Sequence, residues 1–227
     1  MEFAENWPLE QASPGYASRS TRTHLRVPPM SLHESITLAS ASPRRRELLR
    51  QIGVRHEVCA ADVDETPAAA EDPADYVRRV AAAKAEAVWA RDAARPVLAA
   101  DTAVVLGAEL YAKPADLNDG LRMLRALSGR THQVLTAVAV RSAGGLQAAL
   151  SVSEVTFRPL SEAECLHYWA SGEPAGKAGG YAIQGLAATF IRHLSGSYSG
   201  VMGLPLAETA TLLAAARVRL WNSGEVQ

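Results

Sequence analysis

The stretch ITLASASPRRRELL, residues 36–49, joins the end of a β-strand to the start of an α-helix. Residues 36–39 are predicted to form the strand. Ser42 followed by Pro43 is the usual pairing of an N-cap with a proline at the first helical position. The predicted helix covers about residues 42–52, and Gly53 follows it as a C-cap glycine. The chain therefore begins its fold with a strand that leads directly into a helix.

The first turn of this helix carries Arg44, Arg45 and Arg46, although the positive end of the helix dipole disfavours cations. The free N–H groups of a helix start already form an anion site. Arginines added to such a site indicate a strongly charged oxyanion, such as a polyphosphate. The alternative is a basic turn that is simply exposed to water.

Helical periodicity separates the three arginines. Arg45 falls on the inward stripe, at i, i+3, i+4 and i+7 with Leu48, Leu49 and Ile52. We expect Arg44 and Arg45 to face a ligand and Arg46 to face water.

Strands and helices alternate along the rest of the sequence, which predicts an α/β fold. Further strands are predicted at residues 54–60, 96–107, 132–140 and 150–160. Further helices are predicted at residues 72–94, 116–127, 161–170 and 205–217. Two glycine-rich segments, residues 176–186 and 195–205, complete the pattern.

Composition narrows the class of protein. The 227 residues are 48% hydrophobic, enough for one large domain, and the net charge of −1 does not suit a general nucleic-acid binder. No apolar run reaches the roughly 18 residues of a membrane span. Cys59 and Cys165 form no pair motif and suit reduced thiols in a cytoplasmic protein.

The first 33 residues differ from the remainder. They are polar and aperiodic, and they lack the apolar segment of a secretory signal. We therefore expect residues 1–33 to be a disordered leader or tag, and residues 34–220 to form a single domain.

Lysine is rare in this chain, with only three against 20 arginines. Lys84 falls on the apolar stripe of the 72–94 helix, and Lys113 lies in a loop. An ammonium group that points into a cleft would explain Lys84, and a lysine that snorkels to the surface is the alternative.

Asp101 interrupts the β-rich run PVLAADTAVVLG, residues 96–107. A carboxylate in such a run is costly unless it is paired, bound to a metal or facing a site. A functional role for Asp101 is therefore favoured over a structural one. Other motifs fail: GEPAGKAGG, residues 172–180, lacks P-loop spacing, and the histidines show no zinc-site spacing.

Several segments together resemble the Maf family. The matching segments include LASASPRRRELL (38–49), ADVDET (61–66), AADTAVVLG (99–107), EPAGKAGGYAIQG (173–185) and GSYSGVMGLPL (196–206). They occur in the order and at the spacing of that family.

This resemblance implies a nucleoside triphosphate pyrophosphatase, which cuts between the α and β phosphates. It also implies a divalent cation, Mg²⁺ or Mn²⁺, and a fold akin to the inosine triphosphate pyrophosphatases. That fold is an elongated α/β one, in which helices flank a mixed, curved sheet and two lobes enclose a cleft. Members of the family are often homodimers.

The resemblance also assigns residues to roles. Ser40, Arg44 and Arg45 would bind phosphates, with Lys84 and Lys113 as catalytic cations at the same phosphates. Asp101 matches the proton acceptor, and Glu65 matches an acidic residue that would hold the metal with Asp101. Whether Asp101 acts mainly as base or as metal ligand stays open.

Within the family, the chain resembles the branch that acts on dTTP and UTP, through Arg45, Thr102 and Gln184. An amide can read the carbonyl and N–H edge of uracil or thymine. A backbone-bonded loop residue is the alternative for Gln184. Two other functions stay open: a pyrophosphatase for 7-methyl-GTP or another purine nucleotide, and a nucleotide-binding regulator of septum formation.

Overall fold

The computed structural model describes residues 32–221, in which seven strands form one sheet. The strands are β1 (Ser35–Leu38), β2 (Arg55–Val58), β3 (Val97–Leu106), β4 (Glu109–Tyr111), β5 (Thr131–Ser142), β6 (Gly145–Phe157) and β7 (Ile191–Ser195). The α-helices are α1 (Pro43–Gln51), α2 (Pro73–Trp89), α3 (Leu117–Leu127), α4 (Glu162–Ala170), α5 (Tyr198–Met202) and α6 (Leu206–Ala215). Two short 3₁₀ helices cover Ala178–Gly180 and Leu186–Phe190.

The sheet is mixed, with strand order β2-β1-β3-β5-β6-β7. β1 runs parallel to β2 and β3, whereas β3, β5, β6 and β7 pair antiparallel. The predicted α/β fold with a mixed sheet and flanking helices is confirmed. The predicted leader lies outside the described residues except for its last two positions, so the division into leader and domain stays a prediction.

One edge of β3 is open at its centre, and this opening positions the site described below. On that edge β1 pairs with β3 only at Val97 and Leu98, and β4 pairs only from Val104 onward. On the other edge β5 pairs with β3 without interruption. Asp101 therefore lies where two neighbouring strands diverge, at a gap in the sheet.

Three hydrophobic clusters hold the elements together. One packs α1 and α6 against the sheet through Leu49, Leu98 and Leu213, and a second packs α2 against it through Val80 and Ala99. The third joins α3 and α4 to the start of β5 and the end of β6. The gap in the sheet lies next to the second and third clusters, which both contribute residues to its walls.

Several element boundaries differ from those predicted. The second helix ends at Trp89 instead of about residue 94, because Asp92 accepts a hydrogen bond from Ala94 N in a turn that leads to Pro96. The three-residue β4 was not predicted, since it is too short for a period to show. The sequence did not predict α5 either, because it spans only five residues of a glycine-rich segment.

No helix among residues 32–221 is both long enough and apolar enough to cross a membrane.

Candidate active site

A cleft of about 710 Å³ opens at the gap in the sheet. Its volume lies within the range of small-molecule sites. The cleft is lined by all nine residues selected from the sequence, namely Ser40, Arg44, Arg45, Glu65, Lys84, Asp101, Thr102, Lys113 and Gln184. Residues separated by up to 144 positions in the chain therefore meet in one pocket.

A buried lysine joins two carboxylates in this cleft. Lys84 lies on the face of α2 that packs on the sheet, and it is only 7% exposed. Its Nζ donates to Oδ1 of Asp101 at 2.8 Å and lies 2.9 Å from Oε1 of Glu65. The side chain therefore does not snorkel to the surface, and the buried ammonium is balanced by opposite charge.

The loop that carries Glu65 is fixed by the neighbouring helix. Tyr76 Oη donates to the carbonyl of Glu65 at 3.0 Å, and burial and the charges of Asp101 and Glu65 raise the pKa of Tyr76 to about 12. Burial acts to raise the pKa of the Glu65 carboxyl. The hydrogen bond from Lys84 and the charges of Lys84, Lys113 and Arg45 outweigh it, so this pKa is lowered.

Arg45 is tied to three parts of the chain. Its Nε donates to the carbonyl of Gly203 at 2.7 Å, its Nη1 to Ser40 Oγ at 3.0 Å, and its Nη2 to Thr102 Oγ1 at 3.2 Å. Burial lowers the pKa of its guanidinium, with the charge of Asp101 acting in the opposite direction. Two of its five N–H donors stay available to a ligand in the cleft.

The polar contacts of Arg45 continue into the sheet. The hydroxyls of Thr102 and Thr136 are hydrogen-bonded at 3.0 Å. Thr136 is fully buried, and its hydroxyl donates to the carbonyl of Gly200 at 2.8 Å. Thr136 on β5 therefore links Thr102 to residues 200–203, the segment whose Gly203 carbonyl accepts a hydrogen bond from Arg45.

Arg44 has more freedom at its tip. Its Nε donates to the carbonyl of Met202 at 3.2 Å, while its two terminal nitrogens have no hydrogen-bond partner among residues 32–221. Burial lowers the pKa of this guanidinium. Arg46 does not line the cleft, as expected, but its side chain is half-buried and its Nε lacks a partner within the described part of the chain.

The start of α1 is also open to an anion. Ser42 is its N-cap but makes no side-chain cap, and the first turn carries no acidic residue. The first turn of α1 therefore lines the cleft without a side-chain acceptor for its backbone N–H groups. Such N–H groups, with Arg44 beside them, provide a favourable place for phosphate oxygens.

Lys113 and Gln184 lie at the rim of the cleft, and both are exposed. The Gln184 side chain makes no hydrogen bond within residues 32–221, so the alternative of a backbone-bonded glutamine is not what the structure has. The remaining wall is apolar and includes Val104, Val134 and Tyr181. One region of the cleft thus carries charge, and another suits a flat, less polar group.

Sequence reasoning missed two residues of this arrangement. Thr136 is a polar residue within the apolar run HQVLTAVAV, and the same argument that selected Asp101 could have selected it. Tyr76 lies two helical turns before Lys84 on the same face of α2. Its hydrogen bond to the Glu65 carbonyl depends on the position of a loop, which no sequence pattern indicates. Lys177, the third lysine of the chain, also lines the cleft.

The fold thus presents a cleft in which arginine and lysine side chains lie next to two carboxylates. The chain belongs to the Maf family, because the family model for the Maf-like protein matches residues 35–216.

Similar proteins carry a common name. The chain is 55% identical to a dTTP/UTP pyrophosphatase of Ralstonia nicotianae, over 85% of this chain and 99% of the relative. It is 54% identical to a protein of the same name from Cupriavidus pinatubonensis, over 83% of this chain and 100% of the relative. A third, from Xanthomonas euvesicatoria, is 57% identical over 78% and 96% of the two chains.

Among solved structures, the Ham1 protein of Staphylococcus aureus matches 80% of this chain and 96% of its own. Its TM-score is 0.45 and its sequence identity is 12%.

Proposed function

We propose that this protein hydrolyses dTTP and UTP to the nucleoside monophosphate and pyrophosphate. The observation that carries the proposal is the pairing of Lys84 with both Asp101 and Glu65 inside a cleft that also presents Arg44 and Lys113. Carboxylates next to several cations suit the attack of water on a bound polyphosphate. The names and high identity of the relatives support this substrate class.

In the proposed reaction, a water oxygen attacks the α phosphorus and the bond from that phosphorus to the bridging oxygen breaks. Pyrophosphate leaves with the bonding electron pair. Asp101 is the proposed acceptor of the proton from water, through Oδ2, since Oδ1 accepts from Lys84. Such general-base catalysis contributes roughly 10²- to 10⁴-fold in rate.

The cations of the cleft are proposed to bind the triphosphate and to stabilise the charge that develops on pyrophosphate. Arg44 would donate through its free terminal nitrogens, together with the N–H groups at the start of α1. Lys113 would reach the same phosphates from the opposite rim. Arg45 is proposed to bind the same phosphates through its two remaining N–H donors, and Ser40 through its hydroxyl hydrogen, while the bond between them holds this wall in shape.

The donor set of the cleft fits a divalent cation such as Mg²⁺ or Mn²⁺. Asp101 and Glu65 offer hard carboxylate oxygens within 2.9 Å of one nitrogen, so the two groups are neighbours. No group of three or more His, Cys, Asp or Glu that could hold a metal occurs among the described residues. Mg²⁺ is commonly held by one or two carboxylates together with substrate phosphates. When bound, such an ion would neutralise phosphate charge and polarise the attacked phosphorus.

This donor set has a measurable consequence. Manganese binding, followed by electron paramagnetic resonance, should be weak for the protein alone and strong after addition of a non-hydrolysable UTP analogue. Tight binding without nucleotide would mean that the protein supplies a complete metal site, contrary to the proposal.

For base recognition, we propose that the base lies against the apolar wall of Val104, Val134 and Tyr181, with Gln184 at its edge. The amide would accept from N3–H and donate to a carbonyl of uracil or thymine. Ala182 also lines this part of the cleft.

The proposed function is tested by pyrophosphate release from UTP, dTTP, CTP, GTP and 7-methyl-GTP, with Mg²⁺ or Mn²⁺. Rapid turnover of UTP and dTTP, with monophosphate as co-product, is the expected result. Turnover of 7-methyl-GTP alone would favour the purine alternative. Calorimetric binding of UTP by folded, metal-loaded protein, without pyrophosphate release, would favour the nucleotide-binding regulator.

Two further parts of the proposal concern the state of the protein. We place it in the cytoplasm, where its two free cysteines, one of them buried, would stay reduced. We also expect a homodimer, which sedimentation can test.

A further inference from the structure

The segment that carries Gln184 is held from both sides by two residues outside the lining of the cleft. Tyr168, on α4, donates through Oη to Oε1 of Glu173 at 2.8 Å and accepts from Ala182 N at 3.1 Å. Glu173 accepts from Leu186 N at 2.9 Å and from Ala187 N at 3.3 Å. The backbone is therefore fixed two residues before Gln184 and again two and three residues after it.

The contact between Glu173 and this segment leaves no spare room. A Cβ atom at Gly185 would lie 2.1 Å from Oε2 of Glu173, so only glycine lets the backbone approach the carboxylate this closely. Lys177 adds a further tie, because its Nζ donates to the carbonyl of Glu173.

Gln184 itself lacks such support. Its side chain is exposed at the rim and makes no hydrogen bond within the part of the chain that the structure describes. A glutamine that is free to move can present either its carbonyl or its NH₂ group to a base. The choice between uracil and cytosine then depends on where the backbone places this side chain.

From these contacts we propose that Tyr168 and Glu173 are positioning residues that set base selectivity through Gln184. This inference rests on the proposed function. Neither residue need touch the nucleotide, since each acts on the backbone that carries the reading amide.

The charge of Glu173 suits this role. Burial acts to raise the pKa of its carboxyl, but the hydrogen bonds from Leu186 N, Tyr168 and Ala187 N outweigh it and the pKa is lowered. A carboxylate accepts stronger hydrogen bonds than a neutral amide. The substitution Glu173→Gln therefore keeps the size of the side chain but weakens its hydrogen bonds to Leu186 N and Ala187 N.

The experiment measures kcat/KM for UTP and for CTP in the wild type, Glu173→Gln, Tyr168→Phe, Gln184→Ala and the double variant Glu173→Gln/Gln184→Ala. We expect the ratio of UTP to CTP to fall roughly tenfold in Glu173→Gln and in Gln184→Ala. The double variant should lose no more than Gln184→Ala alone, because both changes remove the same interaction. Glu162→Gln, at the start of α4, removes an exposed ion pair with Arg125 of α3; it is the matched control and should keep the ratio.

The outcomes separate the two proposals. No pyrophosphate release from the wild type would overturn the proposed function. Turnover by the wild type with an unchanged ratio in Glu173→Gln, or with additive losses in the double variant, would overturn the positioning role alone. An unchanged ratio in Gln184→Ala would overturn it as well. If Glu173→Gln fails to fold, as judged by its melting temperature, Tyr168→Phe decides, because it removes only the hydroxyl that bridges Glu173 and Ala182.

Discussion

The ammonium of Lys84 lies 2.8 Å from the carboxylate of Asp101, and both side chains are more than nine-tenths buried. The buried carboxylate of Asp101 would not be stable there without this ammonium. Glu65 reaches the same ammonium from a more exposed loop, so one cation balances two anions. The stability of the fold and the proposed chemistry therefore depend on the same group.

Replacement of Lys84 by Met should both lower the free energy of unfolding and stop turnover. Loss of one partner of a buried ion pair costs about 3–5 kcal/mol, because the remaining charge has no compensation. Urea denaturation measures the loss. Lys113→Met is the matched control: this lysine is exposed, so the variant should lose turnover at unchanged stability. Equal stability of wild type and Lys84→Met would contradict the role given to the buried pair.

Replacement of Asp101 by Asn should abolish catalysis and keep the fold. The amide cannot accept the proton from water, and we expect kcat to fall by at least roughly 10²-fold. Lys84 keeps Glu65 as a partner, so circular dichroism should match the wild type. Asp62→Asn removes an exposed carboxylate near Glu65 that does not line the cleft, and it should keep full activity. Full turnover by Asp101→Asn would show that Asp101 is not the proton acceptor.

Replacement of Thr136 by Val should weaken the link between Thr102 and the segment at residues 200–203. The methyl group fills the same space, but the carbonyl of Gly200 loses its donor. The expected cost is about 1–3 kcal/mol in the free energy of unfolding. KM for UTP should also rise, since Thr102 and Arg45 lose support. Thr131→Val, on the exposed part of β5, is the control and should alter neither quantity strongly.

Replacement of Gly185 by Ala should imitate the loss of Glu173. The new methyl group would displace the Glu173 carboxylate from its two backbone donors, so the ratio of kcat/KM for UTP to that for CTP should fall. Gly144→Ala serves as control, because its Cβ would meet its nearest neighbour, Ser142 Oγ, at an ordinary 3.6 Å. An unchanged ratio in Gly185→Ala would show that the segment tolerates movement of Glu173.

Stability should decrease as the pH falls below 6.5, through His132. Burial lowers the pKa of this imidazole to about 4, against an ordinary value of 6.5. Between these values the unfolded chain binds a proton that the folded chain does not, so the free energy of unfolding falls by up to about 3 kcal/mol. Urea denaturation from pH 7 to pH 4 measures the slope. The slope should flatten in His132→Gln and persist in His167→Gln, which removes an exposed imidazole.

Patterns in the residues themselves selected Arg44, Arg45, Lys84 and Asp101. The resemblance to the Maf family selected the other residues of the cleft, namely Ser40, Glu65, Thr102, Lys113 and Gln184. Lys84 and Asp101 were found because each is a charge in an apolar pattern, and such a pattern has few physical explanations. The arginines of α1 were found because they oppose the helix dipole. Periodicity also predicted the stripe of α2, since a long helix repeats its signal many times.

Contacts between distant segments could not be predicted from the residues alone. No sequence pattern indicates that Arg45 donates hydrogen bonds to Gly203, Ser40 and Thr102. Nor does any pattern indicate that Glu173 accepts a hydrogen bond from Leu186 N. Such contacts depend on the path of the loops, which is set by packing across the whole sheet. The gap beside Asp101 has the same origin, because it exists only where β1 and β4 stop short along β3.

The bond from Arg45 to the carbonyl of Gly203 spans 158 positions of the chain. During synthesis, the arginines of α1 emerge long before the segment that orients them. A growing chain can carry its first strand and helix early, but it cannot complete the wall around Arg44 and Arg45 until residues 200–203 have been made. The timing of chain growth thereby delays completion of the cleft until nearly the whole domain has been synthesised.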